Sequence, residues 1–119
     1  MSRAQLIAHK GKRIVYVDLS GCQVPDVTVV TEEAKKLIAG QPKESALILT
    51  NVTDIQLTSE TSKIMKSFTE HNTPYTKASA VIGVEGLKKI IYSAVQRFSG
   101  RSIPTFETLD QAKDWLAQQ

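Results

Sequence analysis

Short, nearly continuous apolar runs recur along this chain, each leading through a polar or glycine-containing turn into apolar positions spaced three and four apart. Runs of that kind predict strands covered on both faces, and the spacing that follows predicts amphipathic helices. The transition is sharpest from Ala78 to Ile91. There Ala78-Ser79-Ala80-Val81-Ile82 breaks at Gly83, and Leu87, Ile90, Ile91, Ala94, Val95 and Phe98 then mark one helical stripe that Gly100 stops.

Three further strand-to-helix transitions are legible. Arg13 to Leu19 is a strand, Gly21 ends it, and Pro25-Asp26 offers a turn and an N-cap before the stripe Val27, Val30, Ala34, Leu37 and Ile38, which Gly40 and Pro42 close. Ala46 to Thr50 is the next strand. Thr58 or Ser59 caps the helix after it, with Ile64, Met65 and Phe68 inward and Pro74 forcing the chain out. Ile103 to Phe106 is a short last strand. Thr108-Leu109-Asp110-Gln111 has capping-box form, and Leu109, Ala112, Trp115 and Leu116 face the core behind it. Gln5 to His9 is an additional strand, joined to Arg13–Leu19 by a hairpin over Lys10-Gly11-Lys12 and expected at a sheet edge. The sum is an α/β fold: four β-α units, a mostly parallel five-stranded sheet and an N-terminal hairpin within a single domain, 1–119.

Composition narrows the function more than it identifies it. With 119 residues, 41% hydrophobic and 23% charged, the chain is of ordinary globular make-up and long enough for one core without metal or disulfide. The formal charge of +3 is spread along the chain and aromatics are 6%, which argues against a nucleic-acid interface. A single cysteine, Cys22, and an N-terminus without a long apolar core point to the cytoplasm. No run approaches the roughly 18 apolar residues of a membrane span.

Three stretches give the chain a family resemblance: Ile14-Val15-Tyr16-Val17-Asp18-Leu19-Ser20-Gly21, the run Lys77 to Ile90, and Thr105 to Leu116. Together they resemble the SpoIIAA-like branch of the STAS/SEC14 fold group over nearly the whole chain. The resemblance implies a non-enzymatic binding or regulatory module, in a group whose anti-sigma-factor antagonists bind protein partners and whose SEC14-type relatives carry lipids. In the antagonists, a loop after a central strand carries an Asp-Ser pair whose serine is phosphorylated at a helix start. Gln56-Leu57 stands in that place here, with Thr58 and Ser59 as the nearest hydroxyls and candidate phosphosites.

Candidate ligand or partner residues gather where parallel strands end: Asp18 and Ser20, Asn51 and Asp54, and Gly83, Glu85, Gly86, Lys88 and Lys89. The amides after Gly83 offer an anion site at a helix start, which Glu85 opposes by repulsion. No catalytic set assembles. Asp18 and Asp54 lack a nucleophile or metal beside them, and Cys22 lacks a neighbouring base. His9 and His71 have no partner at metal-ligand spacing and read as solvated or locally bonded. No cofactor or metal is expected. The expected partner is a protein, with a homodimer or a small lipid as alternatives.

Overall fold

The computed structural model describes residues 3–56, 58–84 and 103–119. Five strands form one mixed sheet: β1 (Ala4–His9), β2 (Lys12–Asp18), β3 (Ala46–Asn51), β4 (Thr76–Ile82) and β5 (Thr105–Phe106), ordered β1-β2-β3-β4-β5. β1 is antiparallel to β2, and every later pair is parallel. The described helices are α1 (Val24–Ala39), α2 (Ser59–Asn72) and α3 (Leu109–Ala117), with a 3₁₀ turn at Thr73–Tyr75. The helix expected after Gly83 lies outside the described residues, so three of the four β-α units are in view.

The β1–β2 hairpin turns through Lys10 (φ 51°) and Gly11 (φ 79°). Two consecutive left-handed residues match the twist of the strands they join, and glycine carries the second without strain. β1 lies at the sheet edge, as its pattern predicts.

Two layers cover the sheet. Val15, Val17, Ile48 and Val81 point to the side of α1 and α2, where they meet Val27, Val30, Ala34, Ile38 and Phe68. Ile14, Leu47, Leu49, Ala80 and Ile82 point the other way, onto Ala112 and Leu116 of α3. This is why β2 and β3 read as unbroken apolar runs: consecutive residues serve opposite layers, and both layers are buried.

Several element limits differ from expectation for identifiable reasons. α1 begins at Val24, before Pro25-Asp26, because Gln23 is the extended capping residue. Pro25 fits the first turn, and the Asp26 carboxylate, one turn in, accepts from the Gln23 amide at 3.4 Å. β5 is only Thr105–Phe106; Ile103 is buried ahead of it, while the Pro104 carbonyl accepts from the Val81 amide at 3.1 Å. Ile64, Met65, Leu37, Leu109 and Trp115 are half-buried at the margins of the core. Buried threonines extend the α2 stripe instead, since Thr61 and Thr69 satisfy their hydroxyls on nearby carbonyls.

The C-terminal helix is tied to the hairpin by charge. His9 Nε2 lies 2.7 Å from Asp114 Oδ1, and Lys10 Nζ reaches the same oxygen at 3.0 Å. His9 is therefore neither solvated nor locally bonded, as its sequence surroundings suggested, because the fold brings a carboxylate from the far end of the chain to it. The His9 hydrogen bond first, and that of Lys10 second, hold the Asp114 carboxyl below its ordinary range. A carboxyl depressed in the folded state adds stability above its unfolded value and loses it as pH falls through the folded one. The expected result is that Asp114→Asn has a slightly lower thermal midpoint than the parent at neutrality and a shallower fall below about pH 4, so that the two converge in acid. Parallel melting curves of the two proteins across that acid range provide the check.

Candidate functional site

Strand register places the expected polar residues along one edge. Asp18 pairs with Asn51, Asn51 with Ile82, and Ile82 with Phe106, so the carboxyl ends of β2 to β5 form a single row. Beyond the row the chain makes the same turn twice. Asp18 Oδ1 accepts from the Ser20 amide at 3.0 Å and the Ser20 hydroxyl at 2.6 Å. Asn51 Oδ1 accepts from the Thr53 amide at 3.0 Å and the Thr53 hydroxyl at 2.7 Å. In each turn a side-chain oxygen caps the backbone two residues on, which fixes the path of the chain as it leaves the strand.

The turns are also bonded to each other. Leu19 N–H donates to the Asn51 carbonyl at 2.8 Å and Gly21 N–H to the Thr53 carbonyl at 2.8 Å. Val52 N–H donates to the Ile82 carbonyl at 3.0 Å, carrying the ladder on to β4. Gly83 follows at φ +85° with its Cα packed on Thr53, where an added Cβ would lie 2.3 Å from Thr53 Oγ1 and 2.5 Å from Thr53 N. Gly83 thus serves close backbone contact as well as the turn. Glu85, Gly86, Lys88 and Lys89, the remainder of the candidate anion site, lie outside the described residues.

Of the two expected carboxylates, Asp18 accepts from Ser20 through Oδ1, and Asp54 is an exposed turn residue at φ +56°. No group of three potential metal ligands occurs among the described residues. Cys22 is buried beneath a shallow groove of about 310 Å³ lined by Arg3, Asp26, Val29, Val30 and Glu33. Burial pushes its thiol upward, against an opposing pull from the Arg3 guanidinium, while Asp26 and Asp18 add to the rise. A thiol so placed stays protonated and is a poor nucleophile.

Three contributors were not singled out from the sequence. Arg3 Nη1 donates to the Ser20 carbonyl at 2.8 Å and lies 3.1 Å from Cys22 Sγ, fixing the first turn from the N-terminal side. Thr53 closes the second turn and receives Gly83. Gln56 joins the starts of two helices: its amide donates to the Cys22 carbonyl at 2.8 Å, its Oε1 accepts from Val24 N–H at 3.0 Å, and its carbonyl accepts from Thr61 Oγ1 at 2.7 Å. Only the Asn-x-Thr spacing left a sequence signal, through its likeness to Asp18-x-Ser20. The others act across contacts distant in the chain.

Of the two hydroxyls at the start of α2, Thr58 is the cap. Its Oγ1 accepts from Thr61 N–H at 3.1 Å and contacts Thr61 Oγ1 at 2.9 Å. Ser59 follows in the first turn and is exposed. Thr58→Ala is expected to lower stability by about 1 kcal/mol, the usual cost of an N-cap hydroxyl, and Ser59→Ala by much less. Urea unfolding of both variants tests this, and an equal effect would remove the distinction.

A second, smaller cavity of about 30 Å³ lies beneath α2, lined in part by Ile48, Thr50, Phe68, Asn72 and Ser79. That volume suits about one water and no acyl chain. No helix among the described residues is long and apolar enough to cross a membrane. Comparisons of the chain with protein-family models, curated proteins and solved structures find no match.

Proposed function

We propose that this chain is a non-enzymatic, protein-binding regulatory module of the SpoIIAA-like kind, and that the interlocked strand-end turns with the adjoining starts of α1 and α2 form its docking face. The observation that carries this reading is the internal satisfaction of that face. Asp18 Oδ1 and Asn51 Oδ1 each accept two hydrogen bonds from their own turn, so these side chains hold the face in one shape. The result is a preorganised surface, and preorganisation lowers the ordering cost of binding another protein. Val29, 58% exposed on α1 beside the Cys22 groove, gives this face an apolar contact point.

The mixed sheet and the two helical layers agree with the family resemblance, and the departure at Gln56 has a physical sense within it. Gln56 clamps α1 to α2 where the antagonists carry their switch, so charge-based regulation would fall on the exposed hydroxyl of Ser59 rather than on the engaged one of Thr58. A phosphate there would sit at the positive end of α2. The cavity beneath α2 gives the lipid-carrier alternative no support.

Native mass spectrometry of gently purified protein from its own cells tests the reading. A stoichiometric second polypeptide, lost in Val29→Glu while the melting temperature is kept, is the expected result. A co-purifying small apolar molecule without a polypeptide would instead establish the carrier.

A further inference from the structure

The β1 edge offers hydrogen-bonding groups that the fold leaves unused. Asp18 N–H donates to the Arg3 carbonyl at 2.9 Å, in register with the pairing of Ala4 and Val17. Arg3 and Asp18 are therefore a hydrogen-bonded antiparallel pair, and such pairs alternate along the ladder. Gln5, Ile7 and His9 direct their backbone groups to β2, whereas Leu6 and Ala8 direct theirs outward. Neither Leu6 nor Ala8 has a hydrogen-bonding partner there among the described residues. The Leu6 side chain is 42% exposed on the same edge.

The charges around this edge select what can cover it. Arg3 precedes β1, and Lys10, Lys12 and Arg13 follow at the hairpin, with Arg13 directly across from the exposed Ala8. Asp114 engages Lys10, but Lys12 and Arg13 have no ion-pair partner among the described residues. A second copy adding antiparallel would set its Arg3 end against these hairpin cations, and flanking cations of this kind are a known guard against self-pairing. An acidic segment meets the opposite condition.

We propose that the outer edge of β1 takes up an extended, acidic segment of a partner protein as a sixth strand, through the backbone of Leu6 and Ala8 and the charges of Lys12 and Arg13. Main-chain bonds supply the attachment and the cations supply the selection. This proposal rests on the backbone of Leu6 and Ala8 and not on the strand-end turns, and its readout is exchange at those two amides, so failure of one reading does not carry the other with it.

The probe is a blocked heptapeptide, Glu-Val-Asp-Val-Glu-Val-Asp, added at millimolar concentration to the whole protein while amide hydrogen exchange is followed by NMR. Exchange at Leu6 and Ala8 is expected to slow by about tenfold or more, as for amides entering a ladder. A peptide with lysine in place of each acidic residue is expected to bind at least about tenfold more weakly, through lost charge complementarity. Ala8→Pro deletes an outward N–H without touching the β1–β2 ladder and should abolish the protection. Arg13→Glu, a surface change, should weaken the acidic peptide even if the proline variant does not fold. Unchanged exchange at Leu6 and Ala8, or equal binding of both peptides, overturns the proposal. So does protection that rises with protein concentration alone, which would make the occupant a second copy.

Discussion

Gly83→Ala is expected to cost about 3 kcal/mol, combining the strain of a left-handed non-glycine residue with the displacement of packed neighbours. The methyl group would fall 2.3 Å from Thr53 Oγ1, 2.5 Å from Thr53 N and 2.7 Å from Thr53 Cα. Two of these atoms are backbone, so a side-chain rotation does not relieve the overlap. The Asn51–Thr53 turn must move, and with it the hydrogen bond from Gly21 N–H to the Thr53 carbonyl. A loss of that size lowers the melting temperature of a domain this long by about 10 °C. Gly21→Ala is the control, since Gly21 also has positive φ (+66°) but open space around it. It should lose only the backbone part, about 1–2 kcal/mol. Equal effects in thermal unfolding would show that close packing at Gly83 contributes nothing.

Leu49→Ala is expected to destabilise by about 2–5 kcal/mol, the range for removing a large aliphatic side chain from a filled core. Leu49 is 0% exposed in the central strand and packs in the layer with Ile14, Ala80 and Leu116. Because β3 has a strand on either side and α3 above it, the cavity can collapse little, which favours the upper part of the range. Val29→Ala, at an exposed position, should change stability by less than about 0.5 kcal/mol. Urea titration resolves the two. A Leu49→Ala loss below about 1 kcal/mol would mean that the α3 layer is loosely packed.

How far the sequence reached is best seen at individual residues. Thr58 and Thr108 are caps because a hydroxyl three residues before an amide reaches it within one turn, and the structure shows both bonds, at 3.1 Å and 3.2 Å. Gly11 and Gly21 follow from the same local logic. The start of α1 did not: Pro25-Asp26 resembles a turn with a cap, yet Gln23 takes the cap because Gln56 Oε1 reaches the Val24 amide from 32 positions away. β5 shrank to Thr105–Phe106 although Ile103 is apolar, since burial of a side chain does not require the backbone to join the ladder.

At the candidate site the residue types were legible and their employment was not. Asp18, Ser20 and Asn51 stand at the strand ends as expected, but whether an oxygen there is offered to a ligand or spent on its own turn depends on geometry that spacing alone leaves open. Arg3 and Gln56 were invisible for the same reason, their partners lying one or more elements away.

The sequence by itself determined what short-range stereochemistry and burial determine. It set which segments are strands, which are helices, where glycine and hydroxyl residues punctuate them, and that consecutive apolar residues require cover on both sides of the sheet. Tertiary structure alone decided which strand ends adjoin, that Gly83 lies against Thr53, that Asp114 binds His9, and that the Leu6 and Ala8 backbone faces outward. Such contacts join residues whose separation along the chain carries no information about their approach, and only closure of the whole sheet brings them together.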